Sequence, residues 1–445
     1  EIRLSLVGSE MCIRDSRHIF DMTPDGVRDW CGRQGMPAFR ATQILEWIYA
    51  KGVADPAKMS NLSKVDREML AREFVFLSGP TVRHQVATDG TQKLLIQWDD
   101  YEGHRKVVPP LAASTEDRSL PILQNGAASG NSEPRDPNPE TRDPNFPDPN
   151  FPDLSLDPSR QTECVMIPVE QDDTRNSRRT ACISSQIGCP VGCKFCASGL
   201  GGLDGNLSTG RILEQVWRLG QLLRDANDPI GRITNVVFMG MGEPLANFSA
   251  VINAVRRIAT LPPDGFGISA RKITISTVGL PKAIERLATE LELPVTLALS
   301  LHAPNDELRR RLIPWAEYST IAELLSSCQK WFDKTGREIT LEYILLGGVN
   351  DRPEHAEQLA RLARTLRANI NLIRYNEVKG IEFVRPEDQD VRHFQGILRE
   401  RGLNAHIRAS RGRDIAAACG QLRHETADRG APSQAGVSRD HNAAR

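Results

Sequence analysis

An α/β fold built on a parallel sheet is what this 445-residue chain predicts, and three observations predict it. Between residues 180 and 420, apolar runs of strand length alternate with helical periods at spacings of about 25–45 residues, the rhythm of strands joined by crossover helices. Glycines and short polar residues gather where those strands end, as in MGMGEP (239–244) and LSLHAPND (299–306). Apolar residues make up 40% of the chain and charged residues 25%, enough for a sizeable core.

The candidate strands are ACISSQIG (181–188), ITNVVFMGMG (233–242), KITISTVG (272–279), VTLALSLH (295–302), EITLEYILLGG (338–348) and INLIRYNEV (370–378). Amphipathic periods such as TGRILEQVWRLGQLLRDA and HAEQLARLARTLRA lie between them. Six such units suit an incomplete (β/α) barrel, and a doubly wound open sheet fits the periodicity almost as well.

Ahead of this core, residues 18–78 read as a small helical domain. Thr23 offers a cap before Pro24, and FRATQILEWIYAKG sets Phe39, Ile44, Trp47 and Ile48 on one stripe that Gly52 ends. A second period follows Ser63. Residues 79–180 form a β-extension: VRHQVATDGTQKLLIQWDD alternates about an Asp89-Gly90 turn, and its continuation arrives only at ECVMIP (163–168). The intervening 110–160 is a proline-, aspartate- and asparagine-rich insertion, read as disordered. Residues 1–17 read as a non-native leader, so Cys12 carries no function and the native chain is expected to start at His18 or Met22. The catalytic core then spans 181–422, and 423–445 reads as a disordered tail.

Charge narrows the function. Fifty-six Lys and Arg against fifty-seven Asp and Glu give a net −1, which excludes a wholly basic nucleic-acid coat protein but leaves room for a local basic groove. No run approaches the ~18 apolar residues of a membrane span. A cytoplasmic monomer is the expectation. The nine cysteines include four between 182 and 196, a pattern of metal or redox chemistry in a reducing compartment.

The chemical centre is Cys189-Pro-Val-Gly-Cys193-Lys-Phe-Cys196, on a loop directly after a predicted strand. Two metal readings follow from the residues alone. Structural zinc would need a fourth ligand, which Cys182 could supply. An iron–sulfur cube held by three cysteines would leave one iron open to a small molecule. Glu243, Ser276, Ser300, His302 and Asn376 all close predicted strands at one rim of the sheet, with Gly240 and Gly242 permitting close backbone approach. Arg309-Arg310-Arg311, and the later set Arg399, Arg401, His406, Arg408, Arg411 and Arg413, suit phosphate contacts.

The C-x₃-C-x₂-C spacing, with Phe195 before the last cysteine, resembles the radical S-adenosylmethionine (SAM) superfamily. ACISSQIGCPVGCKFCASG, NVVFMGMGEPLANF, ITISTVGLPKAI, LALSLHAPNDELRRRLIP and SRGRDIAAACGQL together resemble one branch of it, the dual-specificity RNA methyltransferases. The likeness covers roughly 22–106 and 161–422. It implies a radical-SAM (β/α)6 barrel with one [4Fe–4S] cluster on Cys189, Cys193 and Cys196. Gly242, Glu243, Ser276, Ser300, Leu301, His302 and Asn376 would contact SAM, two molecules of which are used per turnover. The implied reaction methylates C2 of an adenine in 23S rRNA and, in a second role, in tRNA. Cys419 would receive a methyl group and become joined to the base, and Cys182 would release it, leaving a disulfide bond. Glu163 matches an acidic residue near the RNA. A flavodoxin or ferredoxin would supply electrons, and a thiol reductant would reset the cysteines.

Two departures stand out: Arg374 and Glu377 stand where the family carries proline, and the 110–160 insertion is atypical. Both point to a divergent branch. A C8-methylating relative and a non-catalytic iron–sulfur or zinc RNA-binding module are the competing readings. Cys182 and Cys419 together count against the module, which needs neither.

Overall fold

The computed structural model describes residues 17–98, 160–170 and 177–422. All of the expected leader but Arg17, most of the insertion and the tail lie outside the described residues.

In the N-terminal region β1 (Arg17–His18) pairs with β2 (Phe74–Val75), and α1 (Pro24–Arg33), α2 (Phe39–Leu45) and α3 (Lys64–Glu73) lie between them. Thr23 caps α1 by accepting from the Gly26 amide at 2.9 Å, and Ser63 caps α3 in the same way. Ala41, Ile44, Leu45 and Ile48 form the buried stripe. Phe39, expected on that stripe, is exposed instead. It opens the helix about 140° around from Ile44, at ~100° per residue.

The strands β3 (Thr81–Val86), β4 (Gln92–Gln97), β5 (Gln161–Val169) and β6 (Arg178–Cys182) run antiparallel in succession. Expected continuation and observed pairing agree, since Gln97 on β4 sits opposite Gln161 on β5. After β6 the chain leaves the sheet. The single strand expected at 181–188 is therefore two: β6 ends at Cys182, and β7 (Gln186–Gly188) forms a separate hairpin with β8 (Leu203–Asn206).

The chain then alternates through α4 (Thr209–Asp225), β9 (Asn235–Phe238), α5 (Phe248–Ala259), β10 (Ile273–Thr277), α6 (Pro281–Glu290) and β11 (Thr296–Ser300). It continues through α7 (Asp306–Leu312), α8 (Ile321–Thr335), β12 (Ile339–Leu345), α9 (Pro353–Ala363), β13 (Ala368–Arg374), α10 (Asp388–Glu400) and β14 (Ala405–Arg408). Strands β6 and β9 to β14 are parallel and stand side by side in chain order, extended beyond β6 by β5, β4 and β3. The order never reverses, which rules out the doubly wound alternative. Strand β14 adds a parallel unit that the sequence reading lacked.

Alternation along the strands sets the character of the two faces. Ile273 and Ile275, Leu297 and Leu299, Leu341 and Tyr343, and Ile370 and Leu372 are buried in the main core. The intervening Thr274, Thr340, Asn369 and Asn371 instead line a cavity of about 770 Å³ that β6, β9, β10, β12, β13 and β14 enclose together. Barrel interiors are ordinarily filled by branched apolar side chains. Short polar ones leave this one open.

Candidate active site

The cysteine loop hangs between β7 and β8. Gly188 opens it at φ +74°, and a Cβ there would lie 2.1 Å from the Gly202 carbonyl oxygen, so only glycine permits the approach. The Cys189 amide donates to that same carbonyl at 2.8 Å, closing the loop's mouth. Cys189, Cys193 and Cys196 pack against Val191, Phe195, Leu308, Leu312 and Ile313 in a small apolar cluster. Burial pushes all three thiols up, and Cys189 and Cys196 act on Cys193 in the same direction.

The strand ends expected to contact SAM converge beside this loop. Gly242, at φ +99°, has no room for a side chain, since a Cβ would meet Gln186 at 2.6 Å. Glu243 is buried; its Oε1 accepts from the Leu245 amide and its Oε2 from the Val278 amide at 2.8 Å. Burial outweighs those bonds and lifts its carboxyl to about 7. Ser276 and Ser300 share a hydroxyl–hydroxyl bond of 3.2 Å across β10 and β11. His302 adopts φ +58°, accepts from the Ile344 amide at Nδ1 and meets the Phe195 ring edge-on. Burial, with the Arg309 charge, pulls its imidazole down to about 3, so it is neutral. Leu301 is fully buried in the main core, and its backbone bonds the Glu342 carbonyl and the Arg309 guanidinium.

Cys182 and Cys419 line the same cavity, from the end of β6 and from the C-terminal segment. That segment is strapped down through its main chain. The Gly420 carbonyl accepts from the Ala197 amide in the cysteine loop at 2.8 Å, and the Leu422 carbonyl accepts from Ser198 Oγ at 2.7 Å. Asn376 Nδ2 donates to the Cys419 carbonyl, and Lys93 Nζ donates to that of Ala416. Burial, reinforced by nearby Cys419, pushes the Cys182 thiol up to about 12.

Known proteins resemble this chain in sequence and fold. Residues 18–75 match the ribosomal RNA large subunit methyltransferase N-terminal domain, and residues 183–363 match the radical SAM superfamily. A probable dual-specificity RNA methyltransferase RlmN of Rhodopirellula baltica is 36% identical over 406 residues, 91% of this chain and 90% of the relative. Its counterpart in Salinibacter ruber is 36% identical over 91% of this chain and 93% of its own length. The crystal structure of a radical SAM methyltransferase from Sphaerobacter thermophilus superposes with a TM-score of 0.74 at 35% identity, over 92% of this chain and all of that one. The chain belongs to the dual-specificity radical SAM RNA methyltransferase family.

Membership brings SAM-dependent radical chemistry and the use of an iron–sulfur centre. The residues fit such a centre. Among the described residues no three His, Cys, Asp or Glu side chains close on a single metal ion. Cys189, Cys193 and Cys196 share one loop and one apolar cluster, a soft thiolate donor set that suits an iron–sulfur centre. Cys182, which the zinc reading would need as its fourth ligand, lines the cavity with Cys419, whereas the loop cysteines do not.

Several expectations change in this family fold. The eight described cysteines are all free, so the implied disulfide is no standing part of the structure. Glu163, expected near RNA, is buried on β5 in an ion pair with Lys93 at 2.7 Å and does not line the cavity. Arg309 is buried rather than offered to phosphate, Arg399 bonds the Ala405 carbonyl, and Arg401 pairs with Glu357. Arg374 is spent on Asp388, and Glu377 offers its carbonyl to Gln421, so both departures from proline leave Asn376 in place. The sequence reading missed Arg178, Arg271 and Lys272, which line the cavity with Arg408 and Arg411, while among the described residues no Asp or Glu does. Arg178 stands at i−4 from Cys182 on one strand, so period 2 puts both on the same face. No described helix is long and apolar enough to cross a membrane.

Proposed function

We propose that this protein methylates C2 of an adenine in 23S rRNA, and in tRNA, with Cys419 as the methyl carrier and Cys182 as the resolving thiol. The observation that carries this is the meeting of two free thiols, from distant parts of the chain, in one cavity beside a three-cysteine loop. When bound to Cys189, Cys193 and Cys196, a [4Fe–4S] cluster supplies the electron that cleaves SAM reductively. The strand ends at Gly242, Glu243, Ser276, Ser300, His302 and Asn376 hold SAM beside it. The carboxylate form of Glu243 accepts a hydrogen bond from the SAM ammonium, and neutral His302 adds no competing charge.

The chain's own residues divide the remaining work. Adenine C2 is not nucleophilic, so direct transfer from SAM has no productive path. Cys419 takes a methyl group from one SAM, which leaves as S-adenosylhomocysteine; a second SAM is spent on removing a hydrogen from that methyl. The carbon joins adenine, the ring hydrogen leaves as a proton, and the unpaired electron left on the ring returns to the electron-transfer centre. The Cys182 thiolate then attacks the Cys419 sulfur. The S–C bond to the product breaks with its electron pair going to carbon, which takes up a proton to complete the new methyl group; an S–S bond forms, and an external thiol reductant restores both cysteines. Arg178, Arg271 and Lys272 at the strand starts suit the phosphates of an RNA whose adenine has left its stack. An electron donor such as flavodoxin or ferredoxin completes the cycle.

The test is product analysis. RNA treated with anaerobically reconstituted protein, SAM and reductant is digested and compared with 2-methyl- and 8-methyladenosine standards. 2-Methyladenosine alone is expected. 8-Methyladenosine would move the protein to the C8-methylating relatives, and no methylated adenine would refute both.

A further inference from the structure

The arginine run on α7 divides by depth. Arg310 and Arg311 are exposed, whereas Arg309 retains 1% exposure. Its guanidinium donates to the carbonyls of Leu301 at 3.2 Å, of Val278 and of Ser300, at the ends of β10 and β11. These bonds engage Nε and Nη2 through neutral carbonyls and leave the charge uncancelled. Among the described residues no carboxylate forms an ion pair with it. Asp306, one turn earlier, acts on it only at a distance and already accepts from the Ile321 amide at 2.7 Å.

What Arg309 does face is the cysteine loop. The Lys194 amide donates to the Leu312 carbonyl at 3.0 Å, fastening the loop to α7, and Leu308 and Leu312 share an apolar cluster with the three cysteines. Cys193 is the strongest charge partner of the guanidinium. A cation buried among such side chains is costly until an anion is placed beside it. A [4Fe–4S] core of charge 2+ on three thiolates carries one net negative charge, and two after accepting an electron.

We propose that Arg309 is the buried counter-ion of the iron–sulfur cluster and sets its potential, favouring the reduced form by answering the added negative charge. This rests on the reading that Cys189, Cys193 and Cys196 hold the cluster. Arg309 touches no substrate in this scheme; it acts through the cluster.

The test is a redox titration of full-length, anaerobically reconstituted protein, followed by electron paramagnetic resonance, with iron and sulfide counted in every sample. Arg309→Gln removes the charge and keeps an amide donor; Arg309→Lys keeps the charge. For a cation within about 12 Å at an effective dielectric near 20, Coulomb's law gives at least a tenfold change in the reduced-to-oxidised ratio at fixed potential. The Gln variant is therefore expected to show that ratio lowered about tenfold, equivalent to ~59 mV for one electron, while the Lys variant stays near the parent. An unchanged potential in Arg309→Gln at full iron content overturns the proposal, as does an equal shift in both variants. If Arg309→Gln fails to retain iron, its iron-free form decides. An iron-free variant as stable to urea as the iron-free parent supports the counter-ion role, and an unfolded one makes Arg309 structural and overturns it. A parent protein that takes up no iron would instead remove the reading beneath.

Discussion

Replacing Glu214 with glutamine tests how the N-terminal helices are held to the barrel. Glu214 is fully buried on α4, and its two oxygens serve three parts of the chain. Oε2 meets His18 Nε2 at 2.8 Å and accepts from Ser78 through both its amide and its hydroxyl, at 3.0 and 2.8 Å. Oε1 accepts from Arg218 Nε at 2.7 Å, and Arg218 reaches on to Thr81 Oγ1 and the Gly79 carbonyl. Glutamine offers one oxygen in place of two. Turned toward His18 and Ser78, it sets an NH2 against a buried guanidinium; turned the other way, it faces the donors of Ser78. Either way a buried ion pair is broken from one side, which costs about 3–5 kcal/mol. At ~3 kcal/mol per molar urea the midpoint falls by about 1–2 M.

The assay is urea unfolding followed by tryptophan emission, since Trp217 donates to the Ile48 carbonyl at 3.1 Å and so senses the docked helices. pH supplies a second axis. Burial raises the Glu214 carboxyl, but the His18 bond and the Arg218 charge outweigh it and hold it below the usual range. A depressed acid stabilises fully above its unfolded pKa of about 4.3, and that stability drains away as pH falls through the lower folded value. The parent should lose stability there, and the glutamine variant should lose less. A midpoint unchanged to within ~0.3 M urea at pH 7 would refute the reasoning.

Cys419→Ala should retain the cluster and yield no methylated adenine, whereas Cys182→Ala should accumulate protein covalently joined to RNA; denaturing gels with labelled RNA read both, and turnover in either variant sinks the assignment. Anaerobic reconstitution should give about four irons and four sulfides per chain, lost on replacing any of Cys189, Cys193 and Cys196; stoichiometric zinc in active protein would contradict this. Gly188→Ala should cost at least ~1–3 kcal/mol through its left-handed backbone and abolish iron binding by forcing open the loop mouth, as iron assay and thermal melts would show. Deleting 115–158 should leave folding and iron content near the parent values, because Gln97 and Gln161 are paired neighbours whose strands a short turn can join; loss of cooperative unfolding would show otherwise.

Where function depends on local pattern, the sequence was informative. The crossover rhythm, the caps at Thr23 and Ser63, and the three-cysteine loop each rest on a handful of adjacent residues. What it hid depends on partners far along the chain. CISSQIG reads as one strand because its β-propensity is unbroken. The break comes from α4, where Gln215 bonds both the amide and the carbonyl of Ser184, at 2.8 and 3.0 Å, and so takes the place of a ladder partner. Strand β14 escaped because AHIR is only four residues long and half of it is His and Arg. Lys93 looked like an ordinary strand lysine, although its amine reaches Ala416, 323 positions away. Arg309 and Arg311 are alike in sequence and differ only in which side of a short helix they occupy.

The strap that carries Cys419 is gripped by its peptide groups. The carbonyls of Ala416, Cys419, Gly420 and Leu422 are the atoms held, and the Gly412 amide is anchored on Asp89 Oδ2 at 3.0 Å. Every residue has such groups, so the grip is largely blind to side-chain identity. A saturation library across 412–422 should therefore tolerate drift at an exposed position such as Arg413 far better than its nearness to the chemistry suggests. Intolerance should be confined to places where something other than a peptide is read. These are Cys419, for its sulfur, Gly412, where a Cβ would come within 2.8 Å of Thr91, and Asp414 and Gln421, whose side chains bond the Thr88 amide and the Glu377 carbonyl. Ala417 and Ala418 join them, being packed too tightly to grow.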